Sequence, residues 1–372
     1  MLSRTRGLLL PSRFLFGASS CAHQTEGGNT NSDWWQLEHR SGATHRPSGD
    51  AADSYHRWPV DMDLLAELGF TDYRFSIEWA RIEPAPGHFS RAALAHYRRM
   101  VEGALERGLR PLVTLQHFTL PRWFADQGGW TAEAAADRFA RYVAATAPII
   151  GSDVQHVCTI NEPDTVAALS TDEGTEDLTD KATDKVADTL IRAHRQAVAA
   201  IKEISPDVQV GWSVTGRNEA FLRAAREDDW IGVQVCTALP IGPDGPPPPP
   251  ALNGWDYQRT ALGQALRRTA EVVGELPMIV TENGVATADD THRIEHTARA
   301  LQDLAAALAD GVDIRGYFHW SALDSHAWST HRPAHGLIAV DPETFIRAPR
   351  PSARWLGRIA ADRVLPLPCV GA

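Results

Sequence analysis

Two glutamates stand in short polar motifs, each directly after an apolar run: Asn161-Glu162-Pro163 follows Gln155–Ile160, and Glu282-Asn283-Gly284 follows Pro277–Thr281. A carboxyl group can give a proton, take one, or attack an electrophilic carbon. Two of them facing across one site are the apparatus of glycoside hydrolysis: one protonates the departing oxygen, and the other attacks the sugar or activates water. Either glutamate alone reads as a solvated loop residue; their paired placement carries the chemistry. Further polar and aromatic groups belong to similar runs: Gln24 follows the first, Arg74 lies within the second, His117 ends the third and Trp320 the last. Amides and imidazoles bond sugar hydroxyls, and an indole face packs on the apolar side of a pyranose.

The elements that must position these groups follow from periodicity. Eight β-rich apolar runs recur: Phe14–Ala18, Asp72–Ile77, Pro111–Gln116, Gln155–Ile160, Val208–Val214, Trp230–Cys236, Pro277–Thr281 and Ile314–Trp320. Helix-like segments lie between them: Pro59–Leu68, Ala92–Arg107, Ala132–Ala147, Ala187–Ile204, Tyr257–Val273 and Thr291–Ala309. In the last, Ile294, Ala298, Leu301, Leu304, Ala305 and Leu308 recur at helical spacing, which predicts the buried stripe. Strand–helix alternation implies a parallel sheet, and eight right-handed crossovers close into an α/β (β/α)8 TIM barrel. A doubly wound sheet is the competing architecture, but no GxGxxG follows the first run. In such a barrel the strand C-termini carry function, where Gln24, His117, Glu162, Glu282 and Trp320 fall, with Arg74 within the second strand.

Composition is compatible with that plan. The 372 residues, 43% apolar and 22% charged, suit a soluble globular chain. No composition shift marks a boundary, so residues 1–372 read as a single barrel domain. Pro246–Pro250 reads as a stiff extended loop. The net charge of −11 opposes a nucleic-acid or anionic-membrane partner, and no apolar stretch is long enough for a membrane span. Cys21, Cys158, Cys236 and Cys369 form neither a CxxC pair nor a disulfide framework. Leu8-Leu9-Leu10 is too short an apolar core for a secretion signal, so a cytoplasmic, reduced location is expected. His292 and His296 have a ligand-compatible spacing, but no third ligand stands near, and both are expected on the outer surface. The reading calls for a small-molecule glycoside as partner, with no cofactor and no metal.

A set of motifs in register resembles glycoside hydrolase family 1, the β-glucosidase and β-galactosidase family. They are Phe14-Leu15-Phe16-Gly17-Ala18-Ser19-Ser20 with Gln24-Thr25-Glu26-Gly27; Tyr73-Arg74-Phe75-Ser76-Ile77-Glu78-Trp79; His117-Phe118-Thr119-Leu120-Pro121; Gly128-Gly129-Trp130; Thr159-Ile160-Asn161-Glu162-Pro163; Ile279-Val280-Thr281-Glu282-Asn283-Gly284; and Gly316-Tyr317-Phe318-His319-Trp320-Ser321 with Gly336-Leu337 and Val340-Asp341. The resemblance implies Glu162 as general acid/base and Glu282 as nucleophile, with Arg74 beside Glu282 holding it ionised. Gln24, His117 and Asn161 would bind the glycone, with Trp320 and Trp328 lining it. The carboxyls of a retaining pair stand ~5–5.5 Å apart.

Three departures set the chain apart from what it resembles. A family Glu-Trp pair after the last strand grips the sugar's outer hydroxyls; here Trp328 remains and Ala327 replaces the Glu. A family Tyr that touches the nucleophile is replaced by Cys236, a weaker and shorter donor. The connections between strands are short, especially between Val214 and Asp228, which implies an open cleft suited to a bulky aglycone. His326, His331, Arg332 and His335 cluster around Ala327 and could favour an anionic or modified glycone. A phosphorylated glycone is less favoured, because Pro333 and His335 stand where a phosphate-binding Lys and Tyr are expected. The expected activity is therefore that of a retaining β-glycosidase for a non-standard glycone or bulky aglycone. A transglycosidase or secondary-metabolite tailoring enzyme, or a weakly active carbohydrate-binding barrel, are the alternatives.

Overall fold

The computed structural model describes residues 7–43, 45–171, 181–216, 218–237, 261–326 and 335–366. Eight parallel strands close a barrel in chain order: β1 (Leu15–Ser19), β2 (Asp72–Ser76), β3 (Arg110–Gln116), β4 (His156–Asn161), β5 (Gln209–Val214), β6 (Trp230–Thr237), β7 (Met278–Val285) and β8 (Ile314–Trp320), with β8 pairing back to β1. Outside them run α1 (Ser54–Leu68), α2 (Arg91–Glu106), α3 (Ala135–Ile150), α4 (Lys181–Ile204), α5 (Glu219–Ala224), α6 (Ala261–Val273), α7 (Asp290–Ala309) and α8 (Pro351–Asp362). The expected TIM barrel is thus the observed one. Closure leaves the barrel no exposed edge. Two antiparallel pairs, Gly7–Leu9 with Val364–Pro366 and Ile338–Val340 with Arg347–Pro349, lie apart from it.

The core has two layers, as strands buried on both faces require. Leu15, Leu112, Cys158, Trp230, Ile279 and Phe318 fill the barrel interior. Between strands and helices, Phe16, Val113, Val157, Ile231, Val280 and Tyr317 pack against helix residues such as Val101, Leu190, Leu301 and Leu304. The buried stripe of α7 differs from the expected one. Arg293 and Thr297 are buried with Leu301, Leu304 and Ala305, whereas Ile294 and Ala298 are only partly covered. Arg293 tolerates this because it donates to Asp290 and to the Thr287 carbonyl. Of the two histidines on α7, His292 is exposed as expected, but His296 is half-buried, with desolvation pushing its imidazole down to about 4.

Between β5 and β6 the described residues form α5 and a 3-10 turn, Ala225–Glu227, in the short connection expected from sequence. No helix among the described residues is long and apolar enough to cross a membrane. Pro246–Pro250 and Cys369 lie outside the described residues, as does the start of the segment expected from Tyr257.

Candidate active site

Period-two alternation alone would misplace the chemistry, and two register breaks correct it. On β4, Cys158 faces the interior, so strict alternation would send Asn161 outward. The pairing with β5 shifts between Cys158 and Asn161. Thr159 meets His194 on α4, Ile160 joins the outer core, and Asn161 turns inward. On β7, Ile279 faces inward and Val280 outward; the pairings with β6 and β8 then shift after Val280. Glu282 turns inward and Asn283 outward, where it accepts from Tyr317 Oη at 3.0 Å. Such bulges re-aim side chains at barrel rims. Glu282-Asn283-Gly284 therefore lies within β7 rather than after it, because β7 runs four residues beyond its expected end. Gly284 is obligatory there: a Cβ would sit 1.8 Å from the Trp320 carbonyl oxygen.

Arg74, fully buried at the centre of β2, ties these strands together. Its Nη1 donates to Glu282 Oε1 at 2.5 Å and its Nη2 to Asn161 Oδ1 at 2.5 Å. Gln234 on β6 donates to the same Asn161 oxygen at 2.8 Å. With Oδ1 so engaged, Asn161 Nδ2 faces His117 Nε2 at 3.3 Å, which places the imidazole proton on Nδ1. Desolvation, aided by the charge of Arg74, holds His117 well below its usual pKa and hence neutral. The Trp320 indole stacks on His117 with ring centres 5.8 Å apart. Burial raises the carboxyl pKa of Glu282 above its ordinary value, and the Arg74 guanidinium pulls against that rise.

Cys236 Sγ lies 3.8 Å from Glu282 Oε2 and donates toward it. Desolvation and the charges of Glu282 and Glu162 raise its thiol pKa. Glu162 directly follows β4 and caps the helix Pro163–Leu169 in a left-handed conformation, φ 46°. Its Oε2 accepts from Thr165 Oγ1 at 2.7 Å, and its backbone N–H donates to the Ser213 carbonyl at 2.7 Å. A non-glycine residue held there stores strain of ~1–3 kcal/mol, a cost tolerated where geometry matters.

Arg74, His117, Asn161, Cys236, Glu282 and Trp320 thus form one contacting set. Gln24 is buried but joins a different partner, donating to the His326 carbonyl at 2.7 Å. Trp328, with Ala327, His331, Arg332 and Pro333, lies outside the described residues. Gln234 escaped the sequence reading, although its place two residues before Cys236 puts it on the same strand face. Nothing in the sequence signals Glu38, which receives His23 Nε2 and His326 Nε2, each at 3.1 Å. His326 is therefore committed to a carboxylate. His335 is buried, its imidazole pushed down to about 4 by desolvation and then by Arg293. A cleft of about 810 Å³ opens beside the site, its walls including Trp34, Leu37, Phe118, Val166 and Leu169.

An inward glutamate on β7, a second glutamate directly after β4 and a buried ring of polar groups tied together by Arg74 define a glycosidase barrel. The Glycosyl hydrolase family 1 profile matches residues 8–234 and 245–364, and the chain belongs to that family. It is 30% identical to thermostable β-glucosidase B of Thermobispora bispora, covering 94% of this chain and 90% of that protein. It is 29% identical to a bifunctional β-D-glucosidase/β-D-fucosidase of Bifidobacterium breve, covering 95% and 99%. The crystal structure of β-glycosidase BGL167 superposes with a TM-score of 0.83 at 39% identity, covering 97% of this chain and 99% of that one. The protein is a retaining β-glycosidase.

Proposed function

We propose that Glu282 is the nucleophile and Glu162 the acid/base of this glycosidase, acting on a neutral β-glycoside whose glycone lacks or masks an outer hydroxyl. The observation that carries the roles is the asymmetry of the two carboxyls. Glu282 is buried and paired with Arg74 at 2.5 Å, a setting for an ionised, oriented attacking group. Glu162 is half-buried and accepts from the Thr165 hydroxyl, whereas the Arg74 guanidinium is given to Glu282, which leaves Glu162 the better placed of the two to carry a proton while Glu282 is ionised. Glu282 attacks the anomeric carbon as Glu162 protonates the departing oxygen; Glu162 then deprotonates the water that releases the sugar. Asn161, His117, Gln24 and Trp320 would hold the glycone, Trp328 would join them, and the cleft walled by Trp34 and Phe118 would take a bulky aglycone. The full 372 residues would form one catalytic domain working in the cytoplasm.

A neutral glycone is favoured by the two residues of the basic cluster around Ala327 that the structure describes, His326 and His335. His326 is spent on Glu38, and His335 is buried and uncharged, so neither offers a free cation to an anionic sugar. Ala327 occupies the sequence position of the gripping Glu, so a sugar without the outer hydroxyl gives up nothing there. The relative that carries β-D-fucosidase in its name acts on a 6-deoxy sugar, which fits the same logic. Aryl β-D-fucoside and β-D-galactoside differ only in the C6 hydroxyl and make the decisive pair. Wild type should favour the fucoside, and Ala327→Glu should shift the kcat/KM ratio toward the galactoside by about tenfold or more, as a charged hydrogen bond of ~1.5–3 kcal/mol returns. Efficient galactoside or cellobiose hydrolysis by wild type would sink the modified-glycone reading.

Arg74 gives a pH test of the roles. An ionised nucleophile means that kcat/KM rises as pH climbs through the Glu282 pKa. Arg74 lowers that pKa, so Arg74→Met should move the acid limb to higher pH by on the order of 1–3 units. An unmoved limb would mean that Arg74 does not set the ionisation of Glu282.

A further inference from the structure

Glu38 is a carboxylate with no spare acceptor capacity toward the sugar. It is 3% exposed. Its Oε1 receives His23 Nε2 and His326 Nε2, each at 3.1 Å. Its Oε2 receives the Ser48 N–H at 2.9 Å and the Ser48 hydroxyl at 2.7 Å. Asn29 Nδ2 lies 3.0 Å from His23 Nδ1 and donates to it, which fixes the His23 proton on Nε2, facing Glu38. This buried cluster pins His326, in the segment after β8, against the turn after β1.

That turn, Ala22–Thr25, carries Gln24. Gln24 and His326 clasp each other twice: the His326 N–H donates to the Gln24 carbonyl at 2.8 Å, and Gln24 Nε2 donates to the His326 carbonyl at 2.7 Å. A backbone carbonyl can only accept, so the amide nitrogen of Gln24 must face it. The other end of the amide, Oε1, is buried and has no hydrogen-bond partner. Buried polar atoms are normally satisfied, and one left open at a binding site marks where a ligand donor belongs.

We propose that His326, anchored by Glu38, is a specificity-determining positioning residue: it locks the Gln24 amide so that only Oε1 addresses the glycone, which must present a donating hydroxyl there. The inference rests on the reading of this site as the glycone pocket. It adds a requirement that Ala327 does not impose. The outer edge of the sugar can be deoxygenated, but the ring position facing Gln24 must keep a free hydroxyl and rejects hydrogen, fluorine and methoxyl alike. Fluorine separates the two orientations of the amide, since it accepts weakly but never donates.

The test is calorimetric binding of aryl β-glycosides to full-length protein carrying Glu282→Gln, so that affinity is read without turnover. Parent, monodeoxy and monofluoro sugars are compared at each ring position, and adding Gln24→Met identifies the position whose penalty collapses. At that position, deoxy and fluoro sugars should both bind at least about tenfold more weakly than the parent. Glu38→Gln and His326→Phe should each cut the fluoro penalty several-fold while penalties at other positions stay put. A merely structural role would weaken every sugar equally. Two folded variants, as judged by thermal melting, give redundancy if one fails to fold. Tenfold better binding of the fluoro than the deoxy sugar would overturn the proposal, as would an unchanged pattern in both variants. Turnover by the Glu282→Gln protein would instead overturn the role of Glu282 and leave the binding pattern readable.

Discussion

Glu282→Ala should abolish turnover, lowering kcat by on the order of 10⁵-fold or more, the scale on which loss of a covalent nucleophile registers. Among the described residues, Cys236 lies 3.8 Å from the carboxylate, but its thiol is pushed away from ionisation, and the thiolate is the reactive form, so it cannot take over the attack. The substitution empties space on the face of the sugar opposite the leaving group. Azide can enter there, attack the anomeric carbon as Glu162 protonates the departing oxygen, and leave as an α-glycosyl azide of inverted configuration. Chemical rescue with that product, followed by NMR, is the measurement. Removing the carboxylate also strands the buried Arg74 guanidinium, a change that can cost ~3–5 kcal/mol of stability. Glu282→Gln keeps an oxygen for Arg74 and separates lost chemistry from lost folding. Full activity in both variants would remove Glu282 from the mechanism.

Glu162→Ala should split substrates by leaving group. Departure of an alkoxide from an alkyl glycoside needs a proton in the transition state, so those substrates should lose ~10²–10⁴-fold. Formation of the glycosyl-enzyme from an activated aryl glycoside needs none and should be largely spared, giving a burst of phenolate followed by slow release, since the base for water is also gone. Azide should rescue the second step here and yield a β-glycosyl azide, the opposite anomer from the Glu282→Ala product. Stopped-flow bursts and the product anomer together assign the two roles. Equal losses on aryl and alkyl glycosides would show that Glu162 does not act as the proton donor.

Much of this was legible in the chain itself. Eight apolar runs separated by helical periodicity dictate a parallel barrel, because each run is buried on both faces and each crossover must be right-handed. The motifs around Asn161-Glu162-Pro163 and Glu282-Asn283-Gly284 single out the two carboxylates proposed to react, and Arg74 and Cys236 lie beside Glu282 where the resemblance implied. These signals are local: a strand's apolar length and a motif's residue order are written in consecutive residues.

Side-chain direction and long-range partnership were decided by the tertiary structure. The alternation of β4 and β7 predicts the wrong facing for Asn161 and Glu282, and only the bulges against neighbouring strands turn them inward. Two members of the basic cluster around Ala327 are not the free cations that their place in sequence suggests: Glu38 claims His326 across more than half the chain, and burial strips His335 of its charge. Whether a histidine is a free cation or a spent donor depends on what the fold places within 3 Å of it and on how much water it excludes. Neither quantity is a property of the residues adjacent to that histidine in the chain.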